Sequence, residues 1–226
     1  MSLSTTLISV DVVAFRLHNQ CLQLLTRKQE VKPGVQGLVL PAGRIESERD
    51  GSLEDTARRV LGYLTCEAAS YYEQVRTIGD SDRDSRGWSL TVVYYALLNQ
   101  QDDGLLSDVS QWVNIISGKP EFPLAYDHEK LVLEALCRLQ NKIQYTSLPV
   151  YLLPEEFTLS DIQKVFATLL GKAPPMRSIR NRFLQGGLLE GSGRQRRGSC
   201  RPAALYRINR QANTRLFDRL YLSTQV

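Results

Sequence analysis

A chain of 226 residues, 42% of them hydrophobic, can bury one large core or two small ones, so one or two domains are expected. It has neither a basic start followed by an apolar run nor an uninterrupted apolar stretch of about eighteen residues, which argues for a soluble, cytoplasmic protein with no membrane partner. The net charge of +4 is unevenly spread: from residue 151 onward thirteen Lys and Arg stand against five acids, leaving +8 there and −4 in residues 1–150. The basic part is a candidate for an anionic partner.

In chain order, residues 7–29 predict two strands rich in β-branched residues and leucine, broken by a turn at His18-Asn19-Gln20. VKPGVQG is expected as a loop leading into LVLP. Leu53, Ala57, Val60 and Leu64 share one helical face, so a helix is predicted over Leu53–Leu64 with Ser52 as its N-cap. A charged loop, GDSDRDSRGW, then feeds a strand at Leu90–Leu98, and DDGLLSDVSQWVNI is expected to be short and irregular. A further helix begins at Asp127, with Val132, Leu136, Leu139 and Ile143 repeating the apolar spacing. Strands mixed with two long helices, without regular βαβ alternation, predict an α/β/α sandwich on a mixed sheet for residues 1–147.

The proline-bearing stretch YTSLPVYLLPEEF places a boundary near residue 148. Beyond it Thr158-Leu-Ser-Asp161 is a capping box, and Ile162, Phe166 and Leu169 follow on one face with Gly171 as the stop. A second helix is expected from Pro174-Pro175 to about Gln185, closing at Gly186-Gly187. Leu188–Glu190 and Ala203–Ile208 flank the glycine- and arginine-rich GSGRQRRGSCRP. Helix, turn, helix and basic hairpin predict a winged helix-turn-helix over residues 148–226, so the whole is an α+β chain of two modules. The four cysteines, Cys21, Cys66, Cys137 and Cys200, lie far apart without a CxxC pair, so buried reduced thiols are expected rather than zinc or disulfides.

The segment LPAGRIESERDGSLEDTARRVLGYLTC, residues 40–66, resembles a Nudix box stripped of its acids. With Arg59 as the box arginine, the expected glutamates fall on Gly51, Val60, Tyr63 and Leu64, the final glycine falls on Cys66, and Gly43 precedes Gly51 by two residues more than the pattern allows. Magnesium needs carboxylate oxygens from one helix face, which these residues do not offer. No metal and no catalytic residue are therefore expected. The alternative is a hydrolase whose metal site has moved to Glu46, Glu48, Glu54 or Asp55, with an accessory basic domain; a nucleic-acid binder with the Nudix part as scaffold is a third possibility.

The wider chain is similar to ADP-ribose-type Nudix domains across LPAGR, GDSDRDSRGWSLTVVYYALL and PLAYDHEKLVLEALCRLQ. From YTSLPVYLLPEEFTLSDIQKVF to RPAALYRI it is similar to the winged helix fused to such domains in the NrtR family. The resemblance implies a bacterial repressor of NAD-metabolism genes that takes ADP-ribose or a related NAD metabolite as effector. Winged-helix regulators commonly read palindromes as two-fold dimers, so a homodimer on a palindromic operator is expected, with no cofactor. Without metal, a diphosphate needs backbone N–H groups and guanidinium forks. The candidates are Arg27, Gly43, Arg44 and Arg86, with Trp88 as a stacking face for adenine and Asp127 and His128 matching the family's Asp-His pair. The plainer roles are an Arg59 that bridges within the box, a core Trp88, an N-cap at Asp127 and a structural His128.

On the second basic-domain helix, Met176, Ile179 and Phe183 face inward, while Arg177, Ser178, Asn181 and Arg182 fall opposite with Arg180 at the edge. Arg and Asn read guanine and adenine edges in the major groove. Arg194, Gln195, Arg196, Arg197 and Arg201 of the hairpin are candidates for phosphate or minor-groove contact.

Overall fold

A two-residue turn starts the sheet. Asn19 and Gln20 both take left-handed backbone angles (φ 49° and 64°) between β1 (Leu7–His18) and β2 (Cys21–Lys32). That is the turn geometry whose twist matches paired strands. The computed structural model describes residues 6–65, 68–81, 83, 87–99, 106–185, 187–197, 202–209 and 216–217. Those up to Cys137 and those from Arg138 onward form two compact units, with Leu17–Leu22 and Asn99 grouped with the second.

β2 runs on to Lys32 and turns through Pro33-Gly34 into β3 (Val35–Val39), which pairs with it antiparallel. The VKPGVQG stretch is therefore two strand ends around a tight turn rather than a loop. Proline presets the first turn position, and Gly34 (φ 74°) accepts the left-handed second. β4 (Ala42–Arg44) pairs with the start of β1, setting Arg44 opposite Ser9.

Helix α1 (Leu53–Gly62) is capped as expected, the Ser52 hydroxyl accepting the Asp55 N–H at 3.1 Å, and it stops two residues short of Leu64. β5 (Tyr71–Asp80) lies antiparallel to β6 (Ser89–Leu98), and β6 runs parallel to β1. The stretch expected to be irregular contains β7 (Ser110–Ile116), antiparallel to β2. Its polar Ser110, Gln111 and Asn114 blur the apolar alternation, and the pairing that orders it comes from residues far away in sequence. With β8 (Lys119–Pro120) the order is β5-β6-β1-β2-β7-β8, β3 joining β2 and β4 joining β1.

Successive strand residues point to opposite faces. Val10, Val12 and Ala14 of β1 pack with Val92, Tyr94 and Ala96 of β6 against Ala57, Val60, Leu61 and Leu64 beside α1. The alternate residue Asp11 faces His128 at the start of α2 (His128–Ile143), so the two helices cover opposite faces of the mixed sheet.

In the second unit a short 3-10 helix (Leu148–Leu152) precedes α3 (Leu159–Leu170), α4 (Met176–Leu184), β9 (Leu189–Arg196) and β10 (Ala203–Ile208). Both halves of the Thr158/Asp161 capping box form, and left-handed Gly171 ends α3. Ile162, Val165, Phe166 and Leu169 of α3 are buried, as are Ile179 and Phe183 of α4. Phe157 exchanges two backbone hydrogen bonds with Tyr206, at 3.0 and 2.8 Å, extending the β9–β10 hairpin. This is a winged helix. The strand reaches Arg196, further than Glu190 as expected, because the wing's polar residues pair across it despite having no apolar pattern.

Cys21 and Cys137 are in no disulfide but are exposed, at a hairpin turn and on α2, so the expected burial of these thiols does not hold. Cys66 and Cys200 lie outside the described residues. No described helix is long and apolar enough to cross a membrane.

Candidate functional site

The box segment is tied down by its arginine. Arg59 donates to both carboxylate oxygens of Asp50 at 2.7 Å, to Glu46 at 2.8 Å and to the Arg44 carbonyl at 2.8 Å. These bonds hold the Asp50 carboxyl far below the ordinary carboxylate range despite the opposing effect of burial. Arg59 thus has the bridging role. Of the positions where the box pattern calls for acids, Val60 and Leu64 are buried in the α1 core, Tyr63 is exposed and accepts from Arg49 at 2.9 Å, and Gly51 is exposed. Val60 also explains Gly43: a Cβ there would come within 2.6 Å of the Val60 Cγ2.

The glycine therefore lets β4 pass close over α1, and β4 in turn forms one wall of a cleft of about 660 Å³. Its lining includes Ser9 and Asp11 of β1, Arg27 of β2, Gly43 and Arg44 of β4, Ser89 of β6, and the turn Tyr126-Asp127-His128. Five predicted ligand residues, Arg27, Gly43, Arg44, Asp127 and His128, are thus brought together. Trp88 is not among them. It is 48% exposed, and its ring covers Gly79, where a Cβ would come within 2.6 Å, so it is neither core nor cleft. Arg86 lies outside the described residues.

Arg83, which the charged loop hid among similar residues, organises the polar floor. It donates to both oxygens of Asp127 at 2.7 and 3.0 Å and lies 3.6 Å from Asp11. Burial opposes ionisation of Asp127, but the Arg83 bonds outweigh it and hold the carboxyl below its usual value. Asp127 does precede α2, its carbonyl accepting from Lys130 at 3.0 Å, yet its side chain is committed to Arg83. Asp11 accepts from the Thr91 hydroxyl at 2.6 Å. A lone acid inside the apolar run LISVDVVAF is the signal that could have identified it.

His128 is fixed on two sides. Its Nδ1 accepts the Leu40 N–H at 2.9 Å, and its Nε2 lies 3.8 Å from Asp11. Burial lowers its pKa against the pull of Asp11 and Asp127, so the ring is neutral with the proton on Nε2. Counting Arg27, Lys32, Arg44 and Arg83 against Asp11 and Asp127, the lining is cationic. Among the described residues three buried side-chain polar atoms lack a hydrogen-bond partner, and two of them, Arg27 Nε and Ser89 Oγ, belong to residues that line this cleft. Such atoms cost about 1–3 kcal/mol each when left unmade, so a polar ligand has something to gain here.

On α4, Arg177, Arg180 and Asn181 are exposed and Ser178 is half-buried. Arg182 turns away from them: it donates to the Gln144 carbonyl at 3.5 Å and lies 5.2 Å over the Phe217 ring. On β9, Arg196 bonds Asp161 at 2.7 Å and Arg194 lies 3.5 Å from Glu156, which also takes Arg207 at 2.7 Å. Gln195 and Arg197 are exposed; Arg201 lies outside the described residues.

The second unit matches the NrtR DNA-binding winged helix domain over residues 149–208. The chain is 36% identical over 205 residues to the ADPR responsive transcriptional repressor NtrR of Acinetobacter baylyi, spanning 89% of this chain and 82% of that one. The chain belongs to the NrtR family. Within it, the crystal structure of Shewanella oneidensis NrtR complexed with a 27mer DNA superimposes with a TM-score of 0.85 at 35% identity, covering 94% of this chain and 98% of that one. The Nudix domain of the same NrtR, cocrystallised with ADP-ribose, matches at 35% identity with a TM-score of 0.51, over 61% of this chain and 91% of that one.

Proposed function

We propose that this NrtR-family protein represses NAD-metabolism genes, holding operator DNA with its winged helix and releasing it when ADP-ribose, or a related NAD metabolite, fills the Nudix cleft. Residues 1–147 are the sensor and 148–226 the DNA-binding part. The reading rests above all on the two buried polar atoms without partners, Arg27 Nε and Ser89 Oγ, in a cleft where cations outnumber carboxylates. Guanidinium forks and the close-approaching backbone at Gly43 suit a diphosphate. Arg83, already doubly bonded to Asp127, serves to order the floor, which leaves the guanidiniums of Arg27 and Arg44 as the phosphate contacts, with Lys32 the remaining cation of the lining. The named specificities of the Acinetobacter and Shewanella proteins agree with this assignment.

The ligand is bound and not cut. Buried Val60 and Leu64 offer no oxygen to magnesium, and three of the four acids that could replace them are engaged: Glu46 with Arg49 and Arg59, Glu54 with Arg58, and Asp55 with Ser52, leaving exposed Glu48 as a single carboxylate.

Exposed Arg177 and Asn181 read base edges from α4, with Ser178 and Arg180 beside them, while Arg194, Gln195, Arg196 and Arg197 meet the backbone. A two-fold homodimer matches a palindromic operator. Ligand then acts by its different affinity for two arrangements of the paired wings. A gel shift with the DNA upstream of the protein's own gene tests this. The expected result is a retarded band that ADP-ribose abolishes; a band indifferent to ADP-ribose contradicts the sensor.

A further inference from the structure

Tyr126 is the one phenol or indole ring among the described residues of the cleft lining, and it is built in an unusual way. Its backbone is left-handed (φ 61°), a conformation that strains a bulky residue and persists only where surrounding structure enforces it. The enforcement is visible on both sides. Before it, the Ala125 N–H bonds the Leu38 carbonyl at 2.8 Å and the Leu124 N–H bonds Glu129 at 3.1 Å. After it, Asp127 is clasped by Arg83 and His128 is pinned by the Leu40 N–H. The ring itself is 58% exposed and meets the His128 imidazole edge-on, with centroids 5.4 Å apart and planes at 63°. The ring is thus braced on the His128 side while much of it stays open to solvent, a large apolar exposure held in place at strained backbone.

We infer that Tyr126 is the stacking platform for the adenine base of the ligand, the place that Trp88 does not fill. The assignment rests on the ADP-ribose reading above and adds the base-recognising residue to it. A π face on a rigid, pre-strained support recognises a flat heterocycle with little ordering cost. The cationic lining around Arg27 and Arg44 is then left for the diphosphate and the orphaned Ser89 hydroxyl for a polar group of the same ligand.

The test compares ADP-ribose binding by the full chain with the variants Tyr126→Phe and Tyr126→Asn, by calorimetry and by proton NMR of the base. Asparagine suits left-handed backbone but has no ring, so loss of stacking is separated from loss of fold. Tyr126→Phe should bind within about 2-fold of the wild type, and Tyr126→Asn should bind about 5- to 150-fold more weakly. The adenine H2 and H8 signals should move upfield on binding to the wild type and Tyr126→Phe, but not to Tyr126→Asn. Wild-type affinity in Tyr126→Asn, or upfield shifts that persist in it, overturns the inference alone. A wild type that binds no ADP-ribose overturns both the inference and the sensor reading beneath it.

Discussion

His128 shows at a single residue how chemistry and position combine. Its Nδ1 is an acceptor for a backbone N–H, and its pKa is lowered from the ordinary 6.5 chiefly by burial, so the folded state binds its proton less readily than the unfolded chain does. The stabilisation is then fully present above about pH 6.5 and is lost as pH falls from there through the lower folded pKa. Thermal melts at pH 7.5 and 5.5 should show a clear loss of stability for the wild type and a smaller one for His128→Asn, whose amide oxygen accepts the same N–H without titrating. Parallel slopes would contradict the neutral assignment. His128, Asp127, Arg27, Gly43 and Arg44 were legible in the sequence because they sit at recognisable places in a Nudix-like frame. Tyr126, Arg83 and Ser89 were not: their roles depend on a left-handed turn, on a clasp across 44 residues and on a hydroxyl left without a partner.

At the scale of elements, local rules carried most of the reading. The α1 cap, the α3 capping box, the glycine stop and the β1–β2 turn are fixed by near neighbours, and all were predicted. β3 and β7 were missed because their order comes from pairing with β2, which no short window contains. Helix α4 separates two kinds of arginine that looked alike in sequence: Arg177 is exposed, whereas Arg182 is spent on the Gln144 carbonyl and the Phe217 ring. Replacing Arg177 or Asn181 by Ala should cost about 1–3 kcal/mol of operator binding and relax preference at one base position. Replacing Arg197 by Ala should instead weaken all sequences alike and flatten the salt dependence. Competition binding against single-base operator variants at several salt concentrations tells the two apart; identical behaviour would undo the division between reading and anchoring.

For the whole molecule, an acidic Nudix unit and a basic winged helix follow the charge division read from the sequence, and each keeps the part of its ancestry that binding needs. The first has a cationic cleft beside a box in which two of the acid positions, Val60 and Leu64, are core. The second has a helix with exposed Arg177 and Asn181 and a wing whose Arg194 and Arg196 are placed by Glu156 and Asp161. The account's central claim is that the cleft grips a nucleotide diphosphate without cleaving it. Incubating the protein with ADP-ribose and magnesium, and following AMP and ribose 5-phosphate, tests that claim most directly. Binding with the ligand recovered intact is the predicted result; steady release of both products, at the pace of ordinary Nudix hydrolases, would contradict it.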